Sequence, residues 1–354
     1  MSLQSFLYRE TRWVRNNAAA LVIVLLILPA MFAGATLAFQ QVIPRDTPIA
    51  VAPADDTVNQ DSLHAIQGVS ATFSRPSTFE SRDAAMRALA REEVYAVFVV
   101  PPDLLDQEQP STIEMIVEEE MVPYEQPSLA IRSLLDRNLH QLIEGVSVTR
   151  TTVGEQKTLS EFLLSASALL LTMVYAFVLL PHVVASERSV YRRIRVTGSL
   201  GTLLTAKFAV FSALMVVPIL GGQAIANHFD LAVNLLHPTA IGITLLTFCY
   251  LAAIAVGVMF LFKFSTLGRL FNIALLFGGV VFASMVYPAG FFSPLRRTVA
   301  KLLPMHYSMI VQRGVSLKGN GPGLYADYIA ALLGVTLLAL LFLYGSVRYY
   351  EWRA

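Results

Sequence analysis

The chain has 354 residues, of which 55% are hydrophobic and only 14% charged, and its net charge is +1. Soluble domains carry roughly 25% charged residues, so this chain lacks the charge to cover a water-facing surface of its size. With a mean hydropathy of +0.59, an ordinary soluble protein is excluded, and no nucleic-acid partner is expected.

Six windows contain no Asp, Glu, Lys or Arg: 16–44, 162–186, 208–229, 231–262, 270–295 and 328–347. A helix of about 20 residues rises about 30 Å, the thickness of the hydrocarbon core. A charge at the centre of such a helix costs roughly 2.5–3.5 kcal/mol on insertion scales, which accounts for the clean windows. Soluble amphipathic helices would carry a charged stripe, and these carry none.

The N-terminal segment 1–17 holds Arg9, Arg12 and Arg15 against Glu10 alone, which places it in the cytoplasm. The first span, 18–39, is longer than the roughly 7–15 apolar residues of a signal peptide. It reads as a retained signal anchor, although Ala33-Gly34-Ala35 resembles a cleavage site.

The insertion 40–157 is a different material, with nineteen Asp and Glu against nine Lys and Arg. The remainder of the chain is correspondingly basic. Runs at 48–52, 94–100 and 112–117 read as strands. Residues 81–92 read as a helix with Ala85, Met86 and Leu89 on one face, and 128–143 as another, with Ile131, Leu134, Leu135, Leu139 and Leu142. Strands separated by helices predict a small α/β domain, long enough to bury its own core. Glu118, Glu119 and Glu120 would point to alternate faces of a strand rather than converge on a metal, and read as a solvated acidic surface.

The later spans follow at 158–185, 203–226, 238–262, 268–288 and 325–348. His182 beside Pro181 reads as an interfacial histidine at the end of the second span. Cys249 is the single cysteine and lies within a span, so no intrachain disulfide forms. Alternation puts both termini in the cytoplasm. Arg188, Arg192, Arg193 and Arg195, then Lys263 and Arg269, then Arg348 and Arg353 agree with that placement. One loop dissents: Arg296, Arg297, Lys301, Arg313 and Lys318 would lie outside.

No phosphate loop of the form G-x-x-x-x-G-K-S/T, no H-E-x-x-H and no nucleophile elbow occurs. The informative stretch is the predicted cytoplasmic helix, 186–202. There Arg188, Tyr191, Arg192 and Arg195 share one face and Val190, Ile194 and Thr197 the other. Such a helix either lies on anionic headgroups or engages a cytoplasmic partner.

The expected architecture is a polytopic α-helical membrane protein with six transmembrane helices and a small α/β extracytoplasmic domain between helices 1 and 2. This plan resembles the ABC-2 type permeases, the membrane subunits of type V ABC transporters. In that family a segment like E-R-E-x-G-T follows helix 2, and a leucine-rich stretch ends in G-K at helix 3. The chain offers Glu187-Arg188, Thr197-Gly198, Leu203-Leu204 and Ala206-Lys207. Val100-Pro101-Pro102 is similar to the family's strand ending in I-P-x-x-F, and Leu303-Pro304-Met305-His306-Tyr307 to its L-P-x-x-Y.

The resemblance implies short helices re-entering the outer leaflet within the external loop 289–324. It implies two copies of this chain, or one with a paralogue, above two cytoplasmic ATPase subunits that carry ATP and Mg, with no cofactor in this chain. Contact with the ATPase would fall on Glu187, Arg188, Tyr191, Arg192, Arg193, Arg195, Thr197 and Leu200. A substrate path between copies, beside membrane lipid, would be lined by Ser165, Thr172, Tyr175, Phe177, Asn272 and Phe277. The expected function is an exporter permease in the cell membrane; the rival is an anchored receptor or scaffold whose external domain binds a ligand.

Overall fold

Ile49, Ala50, Val51 and Ala52 are apolar on both strand faces, and all four are fully buried. That is the pattern of a central strand covered on two sides. The computed structural model, which describes residues 15, 46–102, 104, 111–140, 145–189, 191, 200–285, 287–292 and 294–353, places them in β1 (Thr47–Pro53). A five-stranded sheet forms around it, with β2 (Ser74–Thr78), β3 (Val97–Val100), β4 (Ser111–Glu118) and β5 (Val146–Val153) in the order β2-β1-β3-β4-β5. Only β3 and β4 pair antiparallel.

Parallel neighbours need crossovers, and helices supply them. α1 (Gln60–Ser70) links β1 to β2, α2 (Arg82–Ala90) links β2 to β3, and α3 (Glu125–His140) links β4 to β5. Asn59 caps α1 and Ser81 caps α2 through side-chain acceptors. α2 packs Ala85, Ala88 and Leu89 against Ala50, Ala52 and Val97 on one face. α1 and α3 cover the other face with Leu63, Ile66, Ile131 and Leu135 against Ile49, Val51 and Phe98.

The remaining elements form a helical bundle. α4 (Leu159–Ser186) opens on a reciprocal cap between Thr158 and Glu161 and relaxes into a π-turn at Tyr175–Leu179, just before Pro181. α5 (Leu200–His228) breaks its regular winding at Met215. α6 (Pro238–Leu261) is buried on nearly every side from Thr247 onward and forms the axis of the bundle. α7 (Thr266–Phe282), α8 (Pro294–Leu302), α9 (Pro304–Ser316) and α10 (Ala326–Arg353) follow. Among the described residues, α4, α5, α6 and α10 (with the 3₁₀ turn that precedes it) are long and apolar enough to cross a membrane.

Three expectations change. The predicted span 268–288 is α7, which stops at Phe282 because Ser284 turns into the left-handed region at φ 58°. The strand expected over 94–100 has its regular β3 ladder from Val97, with Tyr95 and Ala96 already bonded to Pro48 and Ala50 of β1, and α1, β2 and β5 were not expected. The acidic run does not form a solvated strand face, since β4 ends at Glu118 and the Glu118 and Glu120 side chains turn inward. The first span, 18–39, lies outside the described residues.

At the bundle end remote from the sheet, Tyr191 is fully buried, stacked on Phe264 at 5.4 Å and edge-on to Phe260 at 5.6 Å. Tyr350 of α10 completes the cluster against both phenylalanines. The α6–α7 turn that carries Phe264 has two successive left-handed residues, Lys263 and Phe264. Packing against Tyr191 therefore supports a strained turn. Tyr191→Ala is expected to cost about 3 kcal/mol, the scale of a large aromatic truncated in a core, read as a lowered unfolding midpoint of the purified protein.

Candidate functional site

The sheet and the bundle meet in a seam of buried charge. Arg313, on α9, has no exposed side-chain surface. Its Nη1 reaches the two Glu92 carboxylate oxygens at 2.8 and 3.1 Å, and its Nη2 donates to the Ser284 carbonyl at 2.7 Å. The guanidinium carbon sits 4.5 Å from the centre of the Phe162 ring on α4. Lys318, two residues beyond α9, bonds Glu118 at the end of β4 and lies 3.5 Å from Glu92.

Burying a charge is costly unless it is paired and hydrogen-bonded, and the local backbone is bent to meet that demand. Glu92 follows α2 at φ 57°, with its N–H donating to Leu89, and this turn aims its carboxylate at the bundle. The end of α7 frees the Ser284 carbonyl for Arg313. Burial pushes the Glu92 carboxyl up, but Arg313 and Lys318 outweigh it and hold it below the usual carboxylate range. Burial raises Glu118 to about 7, with Lys318 offsetting only part of the effect.

Further polar contacts extend the seam. The Tyr95 hydroxyl accepts the Gly290 N–H at 3.2 Å, and the Tyr325 hydroxyl donates to the Ala90 carbonyl at 3.1 Å. Both need a glycine opposite. A Cβ on Gly290 would lie 2.2 Å from the Tyr95 ring, and one on Gly314 2.0 Å from the Tyr325 oxygen. Arg91 pairs with Asp327 at 2.6 Å, and Tyr328 donates to Glu93 at 2.8 Å. One apolar cluster then runs from the sheet through Tyr95, Tyr124 and Phe291 to Phe162 of α4 and Ile219 of α5.

The five cations of the dissenting loop thus have distinct fates. Arg313 and Lys318 are matched by glutamates. Arg297 donates to the carbonyls of Gly290 and Phe292 at 2.9 and 3.2 Å. Arg296 donates to the Val281 carbonyl and lies 3.7 Å from the centre of the Phe292 ring. Lys301 alone is exposed. Four of these side chains are structural counter-charges or backbone caps rather than a solvated basic loop. Sequence reasoning missed the seam, though a loop that violates the charge bias, beside a strongly acidic insertion, was its signal.

The expected ATPase-contact residues separate. Glu187 is paired with Lys207 at 2.7 Å, and Arg188 is exposed. Tyr191 and Leu200 are buried in the bundle, so their side chains pack against this chain rather than projecting from it. Arg192, Arg193, Arg195 and Thr197 lie outside the described residues. Of the expected path residues, Ser165, Thr172, Phe177 and Asn272 are buried within this chain. Ser165 and Thr172 bond carbonyls of their own helix, and Asn272 donates to Ala255 of α6 at 3.1 Å. These four therefore line no open surface; Tyr175 and Phe277 are half-buried.

A family model described as "ABC-2 family transporter protein" matches residues 19–345. No curated protein matches, and no solved structure does.

Removing one member of a buried pair strands the other, at about 3–5 kcal/mol, whereas replacing both with apolar groups is often neutral. Arg313→Met is expected to lower stability by about 3 kcal/mol. Adding Glu92→Leu should recover most of that loss, measured as paired thermal unfolding midpoints.

Proposed function

Because the chain belongs to the ABC-2 transporter family, matched across residues 19–345, we propose that it is the permease subunit of an ATP-driven exporter. It moves a hydrophobic or amphipathic substrate (a drug, lipid or polymer) outward through the cell membrane. The family match over nearly the whole chain is the observation that carries this reading. In support, the sequence has no phosphate loop of its own, so hydrolysis of ATP with Mg falls to a separate subunit.

In this reading the chain crosses the membrane six times, with 18–39 as the first span and α7 as the fifth. Both termini are cytoplasmic and the α/β unit lies outside. The burial of four cations in the dissenting loop supports that orientation, because capped and ion-paired arginines do not act as a free positive loop. Two copies, or this chain and a paralogue, pair across α4 and α7, with Tyr175 and Phe277 the accessible candidates for the path. The receptor alternative has no specific observation behind it.

The ATPase docks on the segment from Glu187 to Leu200, through Arg188, Arg192, Arg193 and Arg195. Tyr191 acts differently from its neighbours. Held among Phe260, Phe264 and Tyr350, it carries displacement of the segment into the α6–α7 turn and α10. Glu187, ion-paired to Lys207, carries it into α5.

Reversal of Arg192 and Arg193 to Glu inverts the charge of the proposed contact, and like-charge juxtaposition across an interface costs several kcal/mol. Recovery of the ATPase with the affinity-purified permease should fall roughly tenfold or more, with the permease itself still monodisperse. Undiminished recovery and transport would sink the assigned contact.

A further inference from the structure

The seam holds more carboxylates than cations. Among the described residues, Glu92, Glu118 and Glu120 face Lys318, and Arg313 stands beside it as the second cation of the seam. Arg313 is engaged with Glu92, with the Ser284 carbonyl and with the Phe162 ring. Glu118 therefore depends on Lys318 alone, and Lys318 also leans toward Glu92.

Glu120 is held where its charge is felt. Its Oε1 accepts the Glu155 N–H at 3.3 Å. The carboxylate fits only because residue 154 is glycine, at φ +87°: a Cβ there would lie 2.1 Å from Glu120 Oε2.

Among the described residues, the other groups around the cluster leave this balance of charge in place. His306, on α9, faces Glu92, but burial holds its imidazole down at about 4 and therefore neutral; it bonds Ser284. Lys157 is a further cation that faces Glu120, but it is paired with Glu155 at 2.8 Å, so the two together add no net charge. The Tyr325 hydroxyl bonds Asn320 and the Ala90 carbonyl and brings no charge to the cluster. With every carboxylate ionised, the buried cluster keeps one negative charge in excess.

We propose that the seam takes up one proton, on Glu118, when the α/β unit seats on the bundle, so that docking tightens as pH falls and loosens as it rises. The sign follows from where the proton binds more strongly. In the closed seam, burial raises Glu118 and Lys318 offsets part of that, while Glu92 and Glu120 add to the rise; the result is about 7 against an ordinary 4.5. In an open seam the carboxyl is hydrated and returns to the ordinary range. The proton is therefore held more tightly when the seam is closed. Between pH 8 and pH 6 the docking equilibrium shifts about tenfold toward the closed form. The device acts whatever the cargo, and would operate equally in a chain that transported nothing.

Hydrogen exchange at the Gly290 amide reports the opening, because that N–H is held across the seam by Tyr95. The measurement uses the full chain in lipid nanodiscs, with exchange corrected for its intrinsic pH dependence. Wild-type protection should be about tenfold greater at pH 6 than at pH 8. Glu118→Gln, a permanently neutral mimic, should lose the pH dependence and show protection at both values at or above the wild-type pH 6 level. Glu120→Gln removes the excess carboxylate and should move the midpoint to lower pH. Equal wild-type protection at the two pH values, a reversed trend, a Glu118→Gln protein that keeps the wild-type difference, or an unmoved midpoint in Glu120→Gln would each overturn the proposal.

Discussion

A guanidinium shut away from water must find acceptors for its charge, and the structure bends in three places to supply them to Arg313. α7 ends at Phe282, giving up its last turn so that the Ser284 carbonyl faces inward. Glu92 adopts a left-handed backbone that only the surrounding contacts can hold. The sheet sits where both Glu92 oxygens reach one nitrogen of the guanidinium. An ion pair of this kind adds little net stability over an apolar substitute. Its effect is on specificity: of the many ways a sheet could rest on a bundle, it selects the one that brings Glu92 to Arg313.

α9 is the element through which that selection spreads. It carries a polar stripe into an otherwise apolar bundle. Ser308 accepts from Thr247 at 2.9 Å and meets Tyr250 at 3.1 Å, and His306 meets Ser284 at 3.0 Å. At the far end of α9, the Ser316 carbonyl accepts the Asn234 N–H from the α5–α6 loop at 2.8 Å. Glu161, at the start of α4, draws in the same loop by accepting from Ala232 at 2.6 Å. The sheet, α4, the α5–α6 loop, α7 and α10 thus meet around one short helix. A displacement of the bundle that moved α9 would be felt at the sheet, and the reverse holds.

The opposite end is organised by apolar contact rather than charge. Tyr191, which follows α4, stacks on Phe264 of the α6–α7 turn, in a cluster that includes Tyr350 of α10. Mechanical coupling of this kind needs no water-free charge, only rings that cannot slide past one another without opening a void. The two ends of α6 are therefore held by different chemistry, ionic and hydrogen-bonded at the sheet, aromatic at the other. Only the first responds to protons.

The amino-acid order by itself determined that this chain belongs in a bilayer and that its acidic insertion is a separate material, because hydropathy and charge density are local sums. It also located β1, β4, α2 and most of α3, whose apolar spacing matches their periods. β2, with the sequence Ser-Arg-Pro-Ser-Thr, and the threonine-rich β5 carry no apolar run and become strands only because neighbours pair with them. Helical spacing put Tyr191 on one face with Arg188 but could not say which face meets protein. Arg313 looked like an exposed loop cation until the fold brought it to Glu92, 221 residues earlier. Periodicity reaches a few turns along the chain, whereas a buried charge is satisfied by whatever the topology places beside it. The seam was therefore decided by tertiary structure alone.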